Sequence, residues 1–379
     1  MSTQKINFPP AELINQQPHL RRCLEELSAH STLAVDTEAN SLYAYQEEVC
    51  LIQVSSPRAD YIIDPLGLDD LSPLGEIFSD PGIEKVFHAS EYDINMLWDD
   101  FHFEINNLFD TMIAARILGR HKLGLDSLLE ERFSIRVNKR FQRADWSKRP
   151  LPEDMLRYAQ LDTHYLIEIR NWLADRLREE GRWEVAQEDF QRASRAHLRS
   201  RREKLPPCWR VNGAQQLDPQ KAAVLDKLSE LRDRLAREKD VPLFKIMGNK
   251  ALVELAEQCP TSIQEIKNLS LPHKNQVLNH GQAVAQAVRE GLSSPPMSPP
   301  STPRPDDAQL ARERALKDWR KHKARQVGVN SAVILPRYLV TAVAQTNPQT
   351  LGELEAVLEE VPLRFEHYGK EILQAVARA

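Results

Sequence analysis

The sequence predicts a mixed α/β domain, a sheet flanked by helices, followed by two small all-α bundles. Three observations carry this. Apolar strand patterns crowd residues 33–88 and give way after Ser90 to helical periodicity, the order of a sheet covered by helices. Past a basic connector the patterns are helical only, and they recur at an offset of about 88 residues, the self-similarity of a duplicated module. At 379 residues the chain has room for two or three domains.

In order, a short lead-in and a helix around Leu20–Leu27 precede a strand, Leu33-Ala34-Val35, that runs into Asp36-Thr37-Glu38. Residues 49–55 and 60–64 are rich in β-branched and aromatic residues and bounded by Ser-Pro and Asp-Pro, so they read as two more strands of a meander. Lys85-Val86-Phe87-His88 reads as the fourth. Helices follow at Ile94, Leu97, Trp98; at Ile113, Ala114, Ile117, Leu118; at Leu125, Leu128, Leu129; and in a long segment starting near Pro152.

With 41% hydrophobic and 28% charged residues, the composition is that of a globular protein. Fifty basic against 55 acidic residues leave a net charge of −5, so any nucleic-acid contact must come from local patches. Cys23, Cys50, Cys208 and Cys259 are scattered without a C-x-x-C pair, which argues against a zinc ribbon or disulfide framework and fits a reducing compartment. Neither an apolar leader nor a membrane-spanning stretch is visible, so the expectation is a cytoplasmic protein without a membrane partner.

Three groups of residues carry chemistry. Asp36 and Glu38, two apart in an extended chain, fall on one face at the strand's end. Two carboxylates held together repel unless a cation lies between them or one is protonated, which points to a metal site or a raised pKa; a solvated turn has the same residues. Asp93 follows Ser90 by three, which suits a catalytic acid and equally a helix cap with a first-turn acid. Tyr158 and Asp162, four apart, stack on one helix face, an arrangement that a core tyrosine beside a solvated aspartate also produces.

The conjunction is more specific than its parts. An acid pair at a strand end, an acid early in a later helix and Tyr-x-x-x-Asp on another helix resemble, in that order, the DEDD superfamily of 3′-to-5′ exonucleases in its tyrosine branch. Phe141-Gln142, Asp145-Trp146 and Arg149-Pro150-Leu151 running into Tyr158-Ala159-Gln160-Leu161-Asp162 resemble the ribonuclease D family. The likeness covers roughly residues 20–190 and implies a ribonuclease H-like fold. It implies two divalent cations, Mg²⁺ or Mn²⁺, held by Asp36, Glu38, Asp93 and Asp162. Asp36 would bridge both ions, Glu38 and Asp162 would hold the one nearer the nucleophile, and Asp93 would act partly through water. Tyr158 would orient the attacking water. The branch using a general-base histidine places it five residues before the last aspartate, where this chain has Arg157.

Substrate contacts are expected at His88, Tyr43, Leu42 and Arg149. Ala39 stands where the family usually has an aromatic, which makes Leu42 or Tyr43 the candidate stacking surface for the terminal base. Trp146 reads as an anchor for the segment before the catalytic helix, and Asp110 as a helix cap. Arg136, Lys139, Arg140, Arg143, Lys148 and Arg149 form a basic run that fits either a phosphate path or a solvated loop.

Arg192, Arg195, His197, Arg199, Arg201, Arg202 and Lys204 form the basic connector. Beyond it Pro260 aligns with Pro348, Glu265 with Glu353, Gly281 with Gly369, and Gln286-Ala287-Val288 with Gln374-Ala375-Val376. Each copy reads as a charged helix, an apolar patch, a second helix and a last helix opening at Gly281 or Gly369. The pattern resembles the helicase-and-ribonuclease-D C-terminal domain, HRDC. The expected division is residues 1–200 for the nuclease domain, 213–292 and 308–379 for the two bundles, and 293–307 for an extended Pro-rich linker. The basic first helix of the second copy, Arg312 to Arg325, is a candidate RNA contact. Together these resemblances imply an exoribonuclease that trims structured RNA with a single-stranded 3′ end, tRNA precursors above all, and releases nucleoside 5′-monophosphates. A DNA exonuclease and a non-catalytic RNA-binding relic are the alternatives.

Overall fold

The computed structural model describes residues 8–196, 206–300 and 305–379. His197 to Lys204 of the basic connector lie outside them, as do residues 301–304 of the Pro-rich stretch. The chain divides into two compact units, one from the described residues of 1–38, 49–200 and 304–379, the other from those of 39–48 and 201–303.

The first unit is built on a six-stranded sheet: β1 (Glu12–Ile14), β2 (Thr32–Ala39), β3 (Val49–Ser55), β4 (Asp60–Ile63), β5 (Glu84–Phe87) and β6 (Leu108–Asp110). Their order is β1-β4-β3-β2-β5-β6. β3 and β4 are antiparallel, with Ile52 opposite Ile63 and Ser55 opposite Asp60, whereas β1–β4, β2–β5 and β5–β6 are parallel. β3 is buried along its whole length, as its nearly continuous apolar run requires of a strand covered on both faces. The four expected strands are present; β1 and β6, at three residues each, are too short to display a two-residue period.

Helices cover the sheet: α1 (Gln17–Leu27), α2 (Ser72–Ser79), α3 (Glu91–Phe101), α4 (Thr111–Ile117), α5 (Leu125–Phe133), α6 (Glu153–His164), α7 (Leu166–Glu179) and α8 (Trp183–Ser194). In α1 the buried side chains are Leu20, Cys23 and Leu27, one stripe of the helical period. Helices α4, α7 and α8 bury Ala114, Ile117, Leu173, Leu177 and Phe190 in one core with Ala34, Val86 and Phe109 of the sheet. Pro152 is the N-cap of α6, one residue before the first helical position expected for it, and Glu153 and Asp154 follow in the positively polarised first turn. Trp146, 1% exposed, packs with Met155 and Ala159 of α6 and with Leu51 and Ile62 of the sheet, which makes it the anchor the sequence suggests.

The helical repeat is exact in register. The first copy runs α9 (Pro219–Lys239), α10 (Leu243–Ile246), α11 (Asn249–Gln258), α12 (Ile263–Asn268), α13 (Lys274–Leu278) and α14 (Gly281–Ser293). The second runs α15 (Asp307–Val327), α16 (Ser331–Ile334), α17 (Arg337–Thr346), α18 (Leu351–Val357) and α19 (Pro362–Ala377). The starts of the first four helices in each copy differ by 88 residues (219 to 307, 243 to 331, 249 to 337, 263 to 351). Internal contacts repeat as well. Arg232 Nη1 donates to the Met247 carbonyl at 3.2 Å, and Arg320 Nη1 to that of Leu335 at 2.8 Å. Ser262 and Thr350 both cap the helix that follows, reaching the amides of Glu265 and Glu353 at 3.2 Å.

Two details depart from the sequence reading. Gly281 opens α14 as expected, but its counterpart Gly369 is buried inside α19, because α13, its connecting turn and α14 become one uninterrupted helix in the second copy. Ser293, expected in the linker, ends α14, and the Met297 amide is tied to the Pro219 carbonyl at 2.9 Å.

The second copy shares its compact unit with the α/β domain. Arg364, 1% exposed, donates from Nε to the Val333 carbonyl at 2.9 Å, from Nη1 to Glu188 of α8, and from Nη2 to Asp189 at 2.8 Å. Val333 joins the core formed by α4, α7 and α8.

Candidate active site

Strand β2 delivers Asp36 and Glu38 between β3 and β5, helix α3 brings Asp93, and helix α6 brings Tyr158 and Asp162. Asp93 is buried, while Asp36, Glu38, Tyr158 and Asp162 keep partial exposure, as a recess open to solvent requires. The Thr37 hydroxyl donates to Asp93 Oδ1 at 2.5 Å, which ties α3 to β2.

Asp110 sets the approach of α3. Its buried carboxylate accepts from the Ala89 amide at 3.3 Å, from the Ser90 amide and hydroxyl at 2.8 Å each, and from the Met112 and Ile113 amides at 2.8 and 3.0 Å. It caps α4, as expected, and also holds Ala89 at φ 63°, a left-handed conformation that a non-glycine residue keeps only when its surroundings impose it. That bend turns the chain from β5 into α3. Ser90 is therefore no side-chain cap: its hydroxyl is taken by Asp110.

Burial and neighbouring carboxylates act on all four acids. Burial and the charges of Asp93, Asp162 and Glu38 raise the Asp36 pKa well above the ordinary range. Burial, then Asp162 and Asp93, push Glu38 up to about 9. Asp162 rises to about 7 through burial and Asp93, and Asp93 to about 7 chiefly through burial, which outweighs its hydrogen bond from Thr37. The Tyr158 phenol is pushed up by burial and by Asp162, Glu38 and Asp36, so it keeps its proton. Among the described residues no group of three His, Cys, Asp or Glu closes into a preformed metal cage. The donor set still suits hard divalent cations: every candidate ligand is a carboxylate oxygen.

The expected substrate contacts separate. His88 Nδ1 lies 2.9 Å from the Thr111 hydroxyl; Thr111 gives its own proton to the Phe87 carbonyl at 3.1 Å, so His88 donates. Burial lowers the His88 pKa, leaving a neutral imidazole. Arg149 is fully occupied. Its five N–H groups go to both carboxylate oxygens of Asp64 (2.6 and 2.7 Å) and to the carbonyls of Trp146 (2.7 Å), Lys148 (2.9 Å) and Cys50 (2.9 Å). None remains for a phosphate, so Arg149 braces the fold where the sequence suggested substrate contact. The basic run around it is largely neutralised: Arg136 pairs with Glu130, Lys139 with Asp126, Arg140 with Asp154 and Lys148 with Asp145. Leu42 and Tyr43 belong to the second unit, where Leu42 is 38% exposed and Lys245 Nζ lies 4.7 Å from the Tyr43 ring centre. Thr37 and Asp110 were the residues hardest to find from sequence; the only hint of Thr37 is its place between the two acids.

Fold and acid cleft together define an exonuclease domain followed by helical modules. A 3′-5′ exonuclease family model matches residues 11–178, and the HRDC domain model matches residues 221–288 and 309–376. The chain thus carries a 3′-5′ exonuclease domain followed by two HRDC domains. It is similar to the solved structure of Escherichia coli RNase D, described as an exoribonuclease involved in structured RNA processing (25% identity, 93% of this chain and 100% of that one, TM-score 0.71). It is also similar to the catalytic core of RRP6 from Trypanosoma brucei (28% identity, 77% of this chain and 82% of that one, TM-score 0.65). The exosome complex exonuclease RRP6 of Saccharomyces cerevisiae is 30% identical over 294 residues, 74% of this chain. The chain spans 40% of that relative's length and 35% of the length of the rat exosome complex component 10.

Proposed function

We propose that this chain is a metal-dependent 3′-5′ exoribonuclease that trims RNA 3′ ends, tRNA precursors among them, and releases nucleoside 5′-monophosphates. One observation carries the reading: burial and neighbouring carboxylates raise the pKa values of four acids brought by β2, α3 and α6. Asp36, Glu38, Asp93 and Asp162 would hold two divalent cations, Mg²⁺ or Mn²⁺. Bound there, the cations would stabilise negative charge on the attacking and leaving oxygens of the phosphodiester.

The chain's own residues do the rest. Tyr158, kept a phenol by its acidic neighbours, orients the attacking water by hydrogen bonding and is no base. Thr37 and Asp110 hold Asp93 in place. Exposed Arg314, Lys321 and Arg325 remain to meet phosphates, whereas Arg312, Lys317, Arg320 and Lys323 serve contacts inside the second module. RNA is preferred over DNA because the similar Escherichia coli structure is described as an exoribonuclease.

Digestion of matched RNA and DNA oligomers and of a 3′-extended tRNA, with products separated by chain length, tests this. The expected result is stepwise shortening of RNA from the 3′ end with 5′-monophosphates as product. Faster loss of DNA, or internal cleavage, would overturn it.

A further inference from the structure

We propose that Leu243 and Phe244 of the first helical module, with Tyr43 beside them, form a stacking site for the bases of single-stranded RNA. The inference rests on the exoribonuclease reading and adds a subsite to it. Phe244 is 50% exposed and Leu243 38%, although each sits in α10, at the place where the second copy has Ser331 and Ala332. Because the second copy folds with that pair of small residues, the module needs no leucine or phenylalanine there for stability. The equivalent face of the second copy is a contact face: Val333 is buried in the nuclease core. In the first copy the aligned position is Lys245, whose ammonium lies 4.7 Å from the Tyr43 ring centre.

The surroundings fit bases better than phosphates. A cavity of about 450 Å³ adjoins the pair, lined by Ser41, Tyr45, Glu47, Phe244 and Asn249 among others. Glu47 and Asp233, the latter accepting from the Tyr45 hydroxyl at 2.8 Å, disfavour a phosphate; Arg232, which also lines the cavity, donates to the Met247 carbonyl and to Asn249 Oδ1, leaving the Ser41 hydroxyl and the Asn249 amide nitrogen to meet base edges. Aromatic faces with adjacent cations, Lys245 at Tyr43 and Arg237 at Tyr45, describe a stacking platform. Residues 40–48, which supply Tyr43 and Tyr45, follow β2 directly in the chain.

The test uses the full chain and a fluorescent oligo(A) of about twelve nucleotides, with chelator present to stop hydrolysis. The double change Leu243→Ser/Phe244→Ala copies the second module and so preserves folding. It should weaken binding roughly 5- to 150-fold, the effect of losing one stacked base. The dependence of affinity on salt should stay the same, because no phosphate contact is removed. Phe244→Trp should bind within about twofold of wild type. Unchanged binding by the double variant, or a loss accompanied by a shallower salt dependence, would overturn the proposal. So would intact RNA binding with lost self-association in sedimentation, which would assign the patch to a second copy of the chain. If the wild type proves inactive on RNA while the double variant still loses oligo(A) binding, the stacking site stands and only the catalytic reading fails.

Discussion

Replacing Arg364 by alanine should detach the second helical module from the nuclease body. The guanidinium is 1% exposed and faces two buried carboxylates, Glu188 at 7% and Asp189 at 6% exposure. Removing it leaves Glu188 with only a backbone partner, the Leu363 amide at 2.7 Å, and Asp189 with the Arg192 guanidinium at 3.1 Å, so the charge left stranded is chiefly that of Glu188. Breaking a buried pair from one side costs about 3–5 kcal/mol, most of it the penalty of a stranded charge. Chemical denaturation followed by tryptophan fluorescence should therefore show a destabilisation of that size. The triple change Arg364→Met/Glu188→Gln/Asp189→Leu should recover much of the loss, because it removes the charges together. A loss below about 1 kcal/mol for Arg364→Ala would refute the assignment of this network as the joint between module and domain.

Three further outcomes follow from the site. In the metal-free protein Glu38 has its pKa raised from 4.5 to about 9, so the folded state is penalised as pH climbs through that window; Glu38→Gln should raise the thermal midpoint at pH 8 by the equivalent of at least about 1 kcal/mol and leave it unchanged at pH 4. Tyr158→Phe should lower kcat by on the order of 10²-fold with the thermal midpoint unmoved, since only the hydroxyl is lost. Arg149→Ala should destabilise by about 2–4 kcal/mol by stranding Asp64 and three carbonyls, whereas Lys148→Ala, at an exposed pair, should cost less than about 0.5 kcal/mol in the same denaturation assay.

The candidate site residues could be picked out because their spacing matches local geometry: Asp36 and Glu38 two apart on a strand, Tyr158 and Asp162 four apart on a helix. The repeat was legible because both copies keep one length, with helix starts offset by 88 residues. Contacts between distant elements were not. Arg149 and its basic neighbours look like a phosphate path until Asp64, Glu130, Asp126 and Asp154 are seen to neutralise them. Arg364 reads as an ordinary surface arginine, and only its alignment with Gln276 marks it as special to the second copy. Gly369 was misplaced because a glycine that opens one helix can lie inside a longer one when no turn intervenes. Asp110 was recognised as a cap, but its hold on Ala89 and Ser90 depends on β6, which three residues cannot announce.

Calorimetric titration of the full chain with Mn²⁺ near pH 7 tests the central claim most directly. Cation binding to the four acids should release protons, because Glu38, Asp93 and Asp162 have pKa values of about 9, 7 and 7 before the metal arrives. Asp36→Ala should abolish that binding. Binding without proton release, or equal binding by the Asp36→Ala protein, would contradict the account.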